Sequence, residues 1–217
     1  MSRRSNVDAR LLCAALAAVL FGAGIKMVVA QETTSEKPSQ AAVEEYVRGM
    51  WPKVEAGWEA RLPQDETQAT CSRYRNNPPE ADGAAIMKRE AATIVFPADS
   101  DVSGGNWKEG EKVAQNGRGG QFSDGADVVN GGNCYACHQL ARTELSYGTL
   151  GPSLTEYGKL REFSPEAAKE AFAKIYNPQA TFACSNMPRF GAHKFLTEQQ
   201  IRDVVAYLFD PESPVNK

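Results

Sequence analysis

One pentapeptide, Cys134-Tyr135-Ala136-Cys137-His138, restricts the fold and chemistry of this 217-residue chain more than any other segment. Two thiols separated by two residues, with an imidazole directly after the second, form the pattern in which thiols add to the vinyl groups of a haem and the histidine reaches its iron from the same turn. A thioredoxin-type dithiol needs a β-α-β pattern around it, and half a zinc site needs two further Cys or His ligands at matched spacing. Neither support is present, for strand-like alternation is nearly absent and the histidines are His138 and His193 alone. The pattern therefore predicts one haem c, covalently bound through Cys134 and Cys137, with His138 as an axial ligand.

An axial histidine needs an acceptor for its second ring nitrogen, which fixes the tautomer and strengthens the ligating nitrogen. The segment Gly148-Thr-Leu-Gly-Pro-Ser-Leu154 resembles the Gly-Pro-x-Leu segment of class I cytochromes c, whose proline carbonyl accepts that bond, so Pro152 is the expected acceptor. For the opposite side of the iron, the methionines beyond the first thirty residues are Met50, Met87 and Met187, and only Met187 falls in a downstream loop. Its neighbours Asn186, Pro188 and Arg189 make that loop polar and stiff. Met187 is the favoured sixth ligand, with Cys184 and His193 of the same loop as alternatives; His193, followed by Lys194, reads as a surface residue. A His/Met pair raises the reduction potential relative to two nitrogen ligands and leaves no open position for substrate.

The N-terminus has its own character. Arg3, Arg4 and Arg10 precede an apolar run, Leu11 to Gly24, and small residues lead up to Ala30 and Gln31. A run of 14 residues falls short of the roughly 20 that a spanning helix needs. Residues 1–30 are therefore expected to be a signal peptide cleaved near Ala30/Gln31, with Cys13 discarded in it and the remainder exported to the periplasm without a membrane anchor. In that oxidising compartment the two cysteines the haem leaves over, Cys71 and Cys184, are expected to pair, a free Cys184 thiol being the alternative. The formal charge of −3 becomes more negative once the basic leader is removed, which gives a nucleic-acid partner no electrostatic support.

Apolar periodicity predicts an all-α chain. Residues 31–40 read as a flexible mature terminus, and residues 41–104 as a helical extension containing a run from Ala41 to Leu62 divided at Pro52 and a helix over Glu80 to Thr93. Residues 105–217 carry the haem. The glycine-rich stretch Asn116 to Asn133 lacks a nucleotide-binding fingerprint and reads as the loop that delivers the chain into the motif. Ser164-Pro165-Glu166 starts a helix that Asn177-Pro178 stops, with Ala168, Ala171, Phe172 and Ile175 inward. Thr197 and Gln200 form a capping box for the last helix, Leu196 and Ile201 a hydrophobic staple, and Pro211 ends it.

Four segments together resemble SoxX, the smaller cytochrome subunit of the SoxAX complexes of bacterial thiosulfate oxidation. They are Gly131-Gly-Asn-Cys-Tyr-Ala-Cys-His-Gln-Leu140, Ser146-Tyr-Gly-Thr-Leu-Gly-Pro-Ser-Leu154, Met187-Pro-Arg-Phe-Gly191, and Val205-Ala-Tyr-Leu208 with Pro211-Glu-Ser-Pro-Val-Asn216. The resemblance implies a class I cytochrome c-like domain that forms a heterodimer with a SoxA-like cytochrome subunit. On that partner, thiosulfate is joined oxidatively to a cysteine of the SoxYZ carrier, an L-cysteine S-thiosulfotransferase reaction. This chain would accept the electrons and pass them to a downstream acceptor, contributing no catalytic residue of its own. Arg189 and Tyr147 would bond haem propionates or contact a partner. The alternative function is a free periplasmic monohaem carrier for another oxidoreductase, and a haem-based ligand sensor is a third reading.

Overall fold

The computed structural model describes residues 38–54, 58–121, 123–125 and 127–217. The expected leader and its cleavage point lie outside these residues, as do Cys13 and most of the expected flexible terminus. Among the described residues every regular element is an α-helix or a short 3-10 turn, as the periodicity predicts. In chain order the helices are α1 (Gln40–Met50), α2 (Glu66–Arg73), α3 (Glu80–Ala91), α4 (Trp107–Gln115), α5 (Pro165–Tyr176) and α6 (Glu198–Phe209). Among the described residues no helix is long and apolar enough to cross a membrane.

Local chemistry explains where most helices start and stop. The Thr197 hydroxyl accepts from the Gln200 N–H while the Gln200 side chain accepts from the Thr197 N–H, so two otherwise unpaired donors of the first turn are satisfied. Ser164 accepts from Ala167 N–H ahead of Pro165, and the Asn177-Pro178 step ends α5. Helix α1 ends just before Trp51-Pro52, and among the described residues up to Leu62 the run beyond it contains the 3-10 turn Glu59–Arg61. Two helices were not anticipated. Helix α2 has its own reciprocal capping box, Asp65 with Gln68, and α4 is capped by Asn106.

The main core gathers Phe172 and Ile175 from α5, Ile201, Val204, Val205 and Leu208 from α6, and Leu140, Phe190, Leu196 and Val215 from the intervening segments. Helices α4 and α6 make the most extensive helix contact. They approach so closely that a Cβ on Gly110 would stand 1.9 Å from the Asp203 carbonyl oxygen. Asp203 reinforces the crossing, since its carboxylate accepts the Asn106 N–H at 2.8 Å and Gln199 Nε2 at 2.9 Å. The C-terminal tail is pinned by Asn216, which donates to the Leu208 and Asp210 carbonyls and accepts from the Gly158 and Lys159 N–H groups. A smaller cluster, separate from the main core, joins Cys71, Ile86, Cys184 and Ala183.

Candidate functional site

Residues Cys134–Ala136 form a single 3-10 turn entered through Asn133, whose φ of 50° lies in the left-handed region. The turn is tight enough that His138 N–H donates to the Cys134 carbonyl at 2.9 Å, bringing both thiols and the imidazole within one revolution of chain. Neither Cys134 nor Cys137 is bridged to another cysteine. Burial pushes the Cys134 thiol up to about 12, so in the bare polypeptide it is protonated.

The loop from Gly148 to Leu154 folds over this turn. Gly148 N–H donates to Tyr135 O, Gly151 N–H to Cys137 O and Leu154 N–H to Gln139 O, each at 2.8 Å. His138 Nδ1 stands 2.7 Å from the Pro152 carbonyl oxygen. A carbonyl can only accept, so Nδ1 carries the proton and Nε2 keeps its lone pair for a metal. Pro152 thus makes the contact expected of it. The turn after His138 has a further support that was not anticipated. Glu144 accepts the Leu140 N–H at 2.6 Å, the Ala141 N–H at 3.2 Å and Gln115 Nε2 at 2.7 Å, which ties the motif to the end of α4.

The glycine-rich segment does serve as the entry to the motif. Gly131 N–H donates to Arg118 O and Asn133 N–H to Asn116 O, closing the loop on itself. Gly120, at φ +74°, lies against the Phe195 ring, where a Cβ would come within 2.3 Å of Cε2. A cavity of about 300 Å³ opens between this backbone and the loop after Met187, lined by Gly119, Gly131, Gly132, Asn133, Pro188 and Phe190 among others. Met187 is half-buried and packs on the main core, its N–H donating to Ser185 Oγ at 3.2 Å.

The other candidates of that loop are engaged elsewhere. Cys184 is bonded to Cys71, so the expected pairing holds and the free-thiol alternative does not. His193 is half-exposed with Nε2 4.0 Å from Asp65, and burial together with the Arg189 charge holds its pKa below the ordinary imidazole value. Arg189 is turned inward against the extension. Its side chain is 9% exposed, with Nη2 2.5 Å from Asp65 and Nη1 3.4 Å from Glu90. Tyr147 remains on the surface.

Glu90 is the least expected member of this group. It lies on α3, is 5% exposed, and accepts from the Thr67 hydroxyl, from Asn177 Nδ2 at 2.8 Å and from Arg189. Burial alone would raise its pKa, but the Thr67 and Asn177 bonds and the Arg189 charge outweigh that and leave it below the ordinary carboxylate value. Nothing local in the sequence marks these partners, which are separated by long stretches of chain.

The donor set fits a covalently held haem: two unbridged thiols spaced for vinyl addition, an imidazole with its ligating nitrogen free, and glycines where the loop lies against the motif. Residues 122–210, which include the pentapeptide and Met187, match the cytochrome c family. The chain is also similar to an uncharacterized lipoprotein of Aquifex aeolicus, 39% identical over 175 residues that span 76% of this chain and 79% of the relative.

Proposed function

Because the chain belongs to the cytochrome c family, whose members bind haem c covalently, we propose that it is an exported, single-haem electron carrier acting as the SoxX-type subunit of a thiosulfate-oxidising complex. When bound, the haem supplies one-electron transfer. Everything else falls to the polypeptide. Cys134 and Cys137 would hold the group and His138 would ligate it through Nε2, with Pro152 fixing the imidazole and Met187 supplying a second ligand.

The observation that carries the electron-carrier reading is the His138–Pro152 bond at 2.7 Å, which sets the histidine tautomer before any metal arrives. A His138/Met187 ligand pair would leave no position for substrate, so the chain would relay electrons while the sulfur–sulfur bond formation that joins thiosulfate to a cysteine belongs to a partner. The thiosulfate assignment is supported by the four segments that resemble SoxX, above all Met187-Pro-Arg-Phe-Gly191. The lipoprotein name of the Aquifex relative supports export, and the leader-like N-terminus supports a periplasmic destination.

The test is reconstitution. The holoprotein is mixed with a SoxA-like cytochrome and the SoxYZ carrier, and thiosulfate is added. Reduction of the haem of this chain only when both partners are present is expected, together with a stable heterodimer by size-exclusion chromatography. A protein that stays monomeric and oxidised in that mixture, yet exchanges electrons rapidly with a terminal oxidase, would instead be a free carrier.

A further inference from the structure

Met187 is bracketed by attachments to the N-terminal extension. Upstream of it, Cys184 is bonded to Cys71 of α2. Downstream, the Arg189 guanidinium pairs with Asp65, the residue that caps α2, and with Glu90 of α3. Both attachments are buried where they meet the loop, with Cys71 at 7%, Cys184 at 5% and Glu90 at 5% exposure. Asn177 and Thr67 complete the set by donating to the Glu90 carboxylate.

This arrangement is more than the loop requires to fold. Phe190 and Leu196 already anchor its far end in the main core, whereas Cys184 packs with Cys71 and Ile86 of the extension in a separate cluster and Arg189 pairs with Asp65 and Glu90. A long, charged side chain on a polar loop ordinarily stays in water. Here its charge is buried and matched by two carboxylates, and a buried charge left without its partner is costly, so the geometry of the loop is bound to that of α2 and α3.

We infer that residues 65–90 act as a clamp on the sixth-ligand loop, in which the Cys71–Cys184 bond and the pairing of Arg189 with Glu90 and Asp65 fix the backbone on either side of Met187 and hold its sulfur toward the iron. Glu90 is thereby a positioning residue. The inference rests on Met187 ligation as proposed above. Its physical basis is pre-organisation: a thioether is a neutral, exchangeable ligand, and a loop already restrained at both ends gives up less freedom on ligation than a slack one. Loosening one end shifts the equilibrium toward the open, five-coordinate iron.

The test uses haem-loaded protein carrying Glu90→Gln, Glu90→Asp, Thr67→Val or Met187→Ala. The readouts are the weak far-red absorption of methionine–iron ligation in the ferric state, carbon monoxide binding to the ferrous state, and the reduction potential. Glu90→Gln is expected to weaken the far-red band, lower the potential and raise carbon monoxide affinity about ten-fold, the lower end of the effect of outer-shell partners of a metal ligand. Glu90→Asp should recover part of this, and Thr67→Val, which removes one bond to Glu90, should give a smaller change of the same sign and serves in place of Glu90→Gln if that variant does not fold. If Met187→Ala abolishes the band while natively folded Glu90→Gln and Thr67→Val keep wild-type spectra, potential and carbon monoxide binding, the clamp is wrong although Met187 ligation stands. If Met187→Ala leaves the band intact, the ligation itself fails and the clamp falls with it.

Discussion

Gly151 lies flat against the His138 imidazole, so close that a Cβ at position 151 would stand 2.2 Å from Cε1 and 2.5 Å from Nδ1 of the ring. The ring is trapped between that glycine and the hydrogen bond to Pro152, which leaves it a single orientation. Gly151→Ala must therefore rotate the imidazole or push the loop away. Overpacking of this kind costs about 1–3 kcal/mol. The expected result is lower thermal stability together with a shifted reduction potential, measured by calorimetry and by redox titration of the purified holoprotein. A variant with both quantities at wild-type values would mean that the loop yields freely and that the ring is not held.

The crossing of α4 and α6 makes a second glycine indispensable. At Gly110 a Cβ would meet the carbonyl oxygen and carbon of Asp203 at 1.9 and 2.4 Å and the Tyr207 Cβ at 2.9 Å. The two nearest are main-chain atoms in the middle of a helix and cannot swing aside. Gly110→Ala is expected to destabilise by about 3 kcal/mol or more, at the upper end for overpacked cores, despite the better helix propensity of alanine. Chemical denaturation would reveal a gain instead if propensity outweighed the close approach.

That same glycine shows why part of the fold was hidden from sequence reading. Helix α4 has few apolar residues and an interior glycine, which by itself argues against a helix; only the partner helix gives Gly110 its reason. By contrast α5 and α6 carry their caps, stops and apolar faces within their own residues, so both were legible. Helix α2 went unread although Asp65 and Gln68 carry a capping signal, because no strong apolar periodicity follows them. The site divides in the same way. The thiols and His138 are marked by spacing and type, Pro152 by the resemblance of its segment to Gly-Pro-x-Leu, and the remaining cysteines suggest their own pairing. The destination of Arg189 was not readable, because Asp65 and Glu90 lie 124 and 99 positions away and neither has a motif that points to it.

The bond between Cys71 and Cys184 closes a loop with a sequence separation of 113. In the chain-entropy account, a loop of this length contributes on the order of 4 kcal/mol by restricting the unfolded ensemble. Cys71→Ser with Cys184→Ser is expected to lower stability by up to about that amount while the haem stays attached, since its thioethers are separate bonds. Urea unfolding of the double variant against the parent reads the difference. Alkylation of the unfolded, unreduced parent should label neither cysteine; labelling of both would show that the pair is open in the isolated protein.

Acid should act on the stability of this protein through Glu90 in particular. Its carboxyl titrates below the ordinary value of 4.5 because Thr67, Asn177 and Arg189 favour the charged form over the penalty of burial. Asp65, facing Arg189 and His193, is lowered likewise from 3.8. A carboxyl with a depressed folded pKa contributes stability that is complete above the unfolded value and is lost as the pH falls through the folded one. Arg89 and Glu66 lie beside this group as well, and the carboxyls of Glu156 and Asp99, outside it, are shifted in the same direction, so the pH profile of the parent alone does not isolate Glu90. The difference between parent and Glu90→Gln does. It is expected to be largest and constant near neutral pH and to shrink once the pH drops below about 4.5, as the parent's own carboxyl becomes neutral. Thermal unfolding midpoints measured across that range read this directly, and two curves that stay parallel into acid would show that the Glu90 charge does not support the native state.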